Sequence, residues 1–102
     1  MDFKGFAARL GIEEEDFLEL VELYVMTCRA DIEKIRQGIL LGVPADAAAA
    51  AHSIKGAAGN LGFEEMAGLA QKMEIQARAG SLENFKTYIS DLEKQITGLG
   101  KG

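Results

Sequence analysis

The chain has 102 residues, enough for one domain with a core of its own and too few for a second. Its hydrophobic content of 48% rules against disorder, its mean hydropathy near zero rules against a membrane protein, and no apolar run approaches the roughly 20 residues of a membrane span. Sixteen acidic against eleven basic residues leave a net charge of −5, which argues against nucleic acid as a partner.

In chain order, the pattern predicts five helices. A short one over about 2–10 presents Phe3, Phe6, Ala7 and Leu10 on one face, and Gly11 stops it. Glu13, Glu14, Glu15 and Asp16 then place negative charge at a helix start, where the macrodipole is positive. That helix, over about 13–41, carries Phe17, Leu20, Val21, Tyr24, Cys28, Ile32, Ile35 and Ile39 at three- and four-residue steps and ends near Gly42. Pro44 suits the first position of a third helix, over about 44–61, with Gly62 as its left-handed cap. A fourth, over about 63–79, turns Met66, Ala67, Leu69, Ala70, Met73 and Ala77 inward and stops at Gly80. Ser81 can cap a fifth, over about 82–98, striped by Phe85, Ile89, Leu92, Ile96 and Leu99. No segment alternates as a strand does. Short connections between long amphipathic helices predict an all-α fold, an antiparallel up-down four-helix bundle with the first helix as a lid.

Cys28 is the only cysteine, which fits a reducing cytoplasm and excludes a thiolate metal cluster. The start, Met1-Asp2-Phe3-Lys4, has no long apolar core behind a basic end and does not read as a secretory signal. The closing Gly98-Leu99-Gly100-Lys101-Gly102 lacks the Ser/Thr and the strand of a phosphate loop and reads as a frayed tail.

His52 is the only histidine. At roughly 100° per residue, its helix divides into a core face of Ala47, Ala50, Ala51, Ile54, Ala57, Ala58 and Leu61 and a face around the imidazole made of Ala45, Ala48, Ala49, Lys55, Gly56 and Gly59. All of the latter but Lys55 are tiny, so the ring stands on a nearly bare surface open to a protein-sized partner. Glycine inside a helix costs about 1 kcal/mol relative to alanine, and ordinary packing gives Gly56 and Gly59 no purpose on that side. Gly56, one turn from His52, clears space where an attached phosphoryl group would project, and Lys55 can reach its oxygens. If the hairpin turns near Phe63, positions whose numbers sum to about 126 lie opposite each other across the two helices, which sets Glu74 against His52. A carboxylate there can accept the Nδ1 proton, fix the tautomer and leave Nε2 as the nucleophile. Gln71 and Arg78 extend a polar stripe one turn to either side. The bland alternatives are a plain surface histidine, small residues serving close helix packing, and a Glu74–Arg78 surface ion pair.

The run Ala51-His52-Ser53-Ile54-Lys55-Gly56-Ala57-Ala58-Gly59-Asn60-Leu61-Gly62 resembles the signature of the histidine-containing phosphotransfer (HPt) domain: a His, then Lys and Gly at the third and fourth positions, further small residues and a closing Gly. The run covers about a tenth of the chain, and the helical plan all of it. Glu74 also looks like the acidic partner of the active histidine in chemotaxis-type kinases, where many phosphorelay HPt domains carry Gln nearby. The resemblance implies a cytoplasmic, monomeric phosphocarrier with no autonomous turnover and no cofactor of its own. His52 would be the phosphoacceptor, Lys55 would stabilise phosphoryl charge, Glu74 would orient the imidazole, Gly56 would give access, and Gln71 would be a second polar neighbour. Its partners would be response-regulator receiver domains, which supply an aspartate, a lysine and Mg²⁺, and a histidine kinase; it would bind neither nucleic acid nor membrane. The Met1 start and glycine-rich end point to a free-standing shuttle rather than a piece of a longer kinase. Two other functions compete. A degenerate HPt domain would bind partners as a helical scaffold without accepting phosphoryl, which the intact His52, Lys55 and Gly56 argue against. A bundle di-metal site needs Glu-x-x-His pairs, and the residue three before His52 is Ala49.

Overall fold

The structure, a computed structural model, describes residues 2–100. It is all-helical, with no strand among the described residues: α1 (Phe3–Leu10), α2 (Glu14–Leu41), α3 (Pro44–Leu61), α4 (Glu64–Arg78) and α5 (Phe85–Gly100). The 28 residues of α2 span about 42 Å at 1.5 Å per residue, which matches the 42 Å long axis of the molecule.

Two turns set the position of α3. At its start, Gly42 adopts a left-handed conformation, the Val43 N–H donates to the Gly38 carbonyl at 2.8 Å, and Pro44 opens the new helix. At its end, Gly62 has φ 82°, which a residue with a Cβ resists, and the Phe63 N–H donates to the Ala58 carbonyl at 2.9 Å. Phe63 is thereby driven into a buried aromatic cluster: its ring lies 5.4 Å from both Phe6 and Tyr24 and 6.1 Å from Phe17. The α3–α4 corner is therefore anchored by apolar burial as well as by backbone geometry, and α1 is tied to the same cluster through Phe3 and Phe6. Helices α2 and α3 run in opposite directions, since Gly38 approaches Ala47 while Asp31, further back along α2, meets Ser53 further on in α3.

Alanine makes α3 thin. Ala47, Ala48, Ala50, Ala51 and Ala58 are all buried, so α2 and α4 both pack closely against its backbone. Helix α5 presents Phe85, Ile89, Leu92, Ile96 and Leu99 inward and meets α2 and α4 through these larger side chains.

Some expectations change. Ser81 does not cap α5: its Oγ accepts the Glu83 N–H in a turn, and Asn84, at φ 66°, cannot continue into a helix backward, so α5 begins at Phe85. Gln76 braces this connection by donating to the Glu83 carbonyl and accepting from the Tyr88 hydroxyl at 3.3 Å. The glycine-rich end is helical as far as Gly100, while Lys101 and Gly102, like Met1, lie outside the described residues. Leu10 and Leu20 are exposed, because the helices they belong to are covered over a narrower stripe than three- and four-residue spacing allows. Ala48 is buried, not part of the open surface around His52.

Candidate functional site

Helix α3 carries His52 on its outer side, and the imidazole side chain is 62% exposed. Ala49, Ser53, Gly56 and Gly59 around it are exposed as well. A Cβ placed on Gly56 or on Gly59 would meet nothing within 4 Å. The protein's own packing thus gives no reason for either glycine, although each weakens the helix by about 1 kcal/mol relative to alanine.

Across the hairpin, Glu74 of α4 faces the ring, and its Oε2 lies 3.0 Å from Nδ1 of His52. Its carboxylate is almost enclosed, with 8% of the side chain exposed. Burial alone would favour the neutral acid. Hydrogen bonds from Lys55 and then Arg78 overcome that, and with the attraction of His52 they draw the Glu74 pKa from 4.5 down to about 2. An ionised carboxylate only accepts hydrogen bonds, so the proton between the two groups belongs to Nδ1, and the lone pair of the neutral ring is on Nε2. No described residue occupies Nε2 with a hydrogen bond.

The other donors divide between the two carboxylate oxygens. Lys55 Nζ approaches Oε1 at 2.8 Å. Arg78 takes Oε2 with both Nε, at 3.0 Å, and Nη2, at 2.7 Å. Lys55, expected from the sequence to lie over the open face, is therefore engaged with Glu74, and the Glu74–Arg78 contact is part of the network around the imidazole. Gln71 is exposed on α4 and takes no part in the hydrogen bonds or ion pairs around His52 among the described residues.

One feature escaped the sequence reading. Asp31 of α2 is buried and accepts a 2.7 Å hydrogen bond from the Ser53 hydroxyl, with Lys34 Nζ 3.8 Å from its other oxygen. Asp31 and Glu74 are the charged residues buried among those described, and they hold consecutive residues of α3 from opposite flanks, each across 22 positions of sequence. A signal existed: Asp31 falls three after Cys28 and one before Ile32, on the inward stripe of α2, where a charge requires a partner. Elsewhere in the core, burial pushes the Cys28 thiol up to about 11, which keeps it protonated and unreactive at neutral pH.

Comparison with known proteins identifies a family and a fold. The Hpt domain family matches residues 19–102. Among solved structures, the crystal structure of histidine-containing phosphotransfer protein B from Pseudomonas aeruginosa PAO1 superimposes with a TM-score of 0.81 over 92% of this chain and 82% of that one. The two share 22% sequence identity, so this likeness speaks to the fold. No curated protein sequence matches the chain.

Proposed function

This chain belongs to the Hpt domain family, and from that premise we propose that Nε2 of His52 accepts a phosphoryl group from the aspartyl phosphate of a receiver domain, or from a kinase domain, and passes it to a second receiver. Histidine phosphotransfer in a phosphorelay is the work of such a domain, and its partners are the receiver and kinase proteins of two-component systems. The observation that carries the assignment to His52 is the Nδ1–Glu74 hydrogen bond beneath an exposed ring, which directs the free lone pair of Nε2 at the partner.

Phosphoryl transfer proceeds through a loose transition state and depends chiefly on in-line positioning and on charge compensation. The Nε2 lone pair forms the N–P bond while the P–O bond to the receiver's aspartate breaks, and the electron pair leaves on that carboxylate. The ring keeps its Nδ1 proton and gains positive charge, which Glu74 balances. Lys55 compensates the phosphoryl oxygens, and Gly56 leaves room for them. We assign Mg²⁺ to the receiver and none to this chain. Both carboxylates near His52 are already engaged, by Lys55 and Arg78 in one case and by Ser53 in the other.

The paired turns and the aromatic cluster support an up-down antiparallel four-helix bundle of α2–α5 with α1 as a lid across one end. The carrier has no turnover without its partners, acts as a cytoplasmic monomer, and binds no nucleic acid; no helix among the described residues is long and apolar enough to cross a membrane. Incubation with receiver domains charged by acetyl phosphate tests the proposal. The label on this chain should be acid-labile and alkali-stable, as a phosphoramidate is, and His52→Gln should lose it while keeping its helical circular dichroism. A label that survives in that variant, or a wild-type chain that binds charged receivers and stays unlabelled, overturns the assignment.

A further inference from the structure

We infer that Arg78 is a positioning residue for the transfer: it holds Glu74 on the imidazole by itself, so that Lys55 is free to leave Glu74 for the phosphoryl group. The inference rests on the reading of His52 as phosphoacceptor and deepens it. Its basis is the division of contacts between the carboxylate oxygens. Oε2 carries both the His52 bond and the two-pronged grip of Arg78, at 3.0 and 2.7 Å, while Oε1 carries Lys55 alone. Departure of Lys55 therefore empties one oxygen and leaves untouched the oxygen that fixes the tautomer.

Charge leads to the same assignment. Before transfer, Glu74 offsets one of the two cations, so the cluster of His52, Glu74, Lys55 and Arg78 is positive by one charge and attracts an incoming phosphoryl group. Afterwards the ring is cationic and the phosphoryl group carries two negative charges, and the whole cluster is neutral. Without Arg78, the same cluster would start neutral and finish with a net negative charge. Lys55 would then be required by Glu74 and by the phosphoryl group at once. Being planar and bidentate, a guanidinium suits the fixed role, whereas a lysine ammonium on a flexible stem suits the mobile one. Lys55 is one-third exposed, directly precedes Gly56 and stands one turn before Gly59, and a Cβ on either glycine would meet nothing within 4 Å, so space for its movement exists on the open side.

Two measurements test this separately from the phosphocarrier reading. Imidazole ¹⁵N shifts of the unphosphorylated protein report which ring nitrogen is protonated. Lys55→Ala should keep the Nδ1–H form as fully as the wild type, whereas Lys55→Ala combined with Arg78→Ala should lose it. Scrambling by Lys55→Ala alone, or retention in the double variant, overturns the inference whether or not His52 is ever phosphorylated. In transfer from a charged receiver, Lys55→Ala should slow the wild type by about tenfold, the effect of one charge-assisted contact to phosphoryl. Arg78→Ala alone should keep the Nδ1–H form through Lys55 and still slow transfer about tenfold, because Lys55 is then tied to Glu74 and withheld from the phosphoryl group. Transfer by Arg78→Ala at the wild-type rate overturns the handover. Arg78→Lys should restore part of the rate, since it returns the charge without the two-pronged grip. If the wild type takes no label, the phosphocarrier reading falls, and the ¹⁵N shifts still decide whether Arg78 holds Glu74.

Discussion

Glu74 is almost enclosed and yet ionised, a state it owes to hydrogen bonds from Lys55 and Arg78 and to the nearby imidazole. Its pKa in the folded chain is depressed, from 4.5 to about 2. A depressed folded-state value means that the unfolded chain binds the proton more readily. The stabilisation is therefore fully present above about pH 4.5 and is lost as the pH falls towards 2. Urea unfolding of the wild type and Glu74→Gln should show the wild type more stable at pH 7, with the gap closing between those two pH values; a gap independent of pH contradicts the assignment. The pairing of His52 with Glu74 could be anticipated because a glycine-capped hairpin fixes register, and one turn position then predicts every opposed pair. The Asp31–Ser53 bond could not be anticipated in that way, since an aspartate on a long helix has many routes to solvent and only the packed structure closes them. Gly56 belongs to this scale as well. Gly56→Gln should stabilise the chain by about 0.5–1 kcal/mol, because it removes a mid-helix glycine without a clash. Transfer should nevertheless slow strongly, because the new side chain stands in the approach to Nε2. Chemical denaturation beside phosphotransfer kinetics reads both signs, and unchanged transfer would refute the role in access.

Among the elements, α3 differs from the rest in being built of alanine and glycine, and that composition lets its neighbours approach its backbone. One close approach is at Gly38 of α2, where a Cβ would stand 3.1 Å from the Val43 carbonyl oxygen and 3.2 Å from the Ala47 nitrogen. Gly38→Val should therefore push α2 and α3 apart and destabilise the protein by roughly 1–3 kcal/mol, measured as a lower urea midpoint. Because Asp31–Ser53 bridges the same two helices, the Ser53 hydroxyl proton should lose protection in that variant. The helical periodicity and the buried stripe of α5 were legible in the sequence, since apolar side chains repeating every three or four positions have one stable placement. Helix ends were less so. Phe85 rather than Leu82 starts α5 because Asn84 takes a left-handed conformation, a choice made by the connection from α4 and its bracing by Gln76 rather than by the local string.

For the whole molecule, the sequence indicated an all-helical chain of the family that the comparison shows, because a short signature and a helical plan over the whole length agreed with each other. It could not indicate how unevenly the helices pack: α3 lies close against α2 and α4, while α5 is held off by large side chains. The His52–Glu74 and Ser53–Asp31 bonds each join residues only 22 apart, inside the stretch from Asp31 to Glu74. Short loops close at little entropic cost, and chains dominated by such contacts cross their folding barrier quickly, in microseconds to milliseconds. This predicts an order of events: the α2–α3–α4 segment, with His52 already oriented, forms the folding nucleus, and α5 docks afterwards. In stopped-flow chevrons, Ala58→Gly in α3 should mainly slow refolding, while Leu92→Ala in α5 should mainly speed unfolding, the signatures of high and low φ-values. The surface that a receiver reads would then be complete on the nascent hairpin pair, and late mistakes in docking α5 would reduce the lifetime of the folded carrier without changing the geometry at His52.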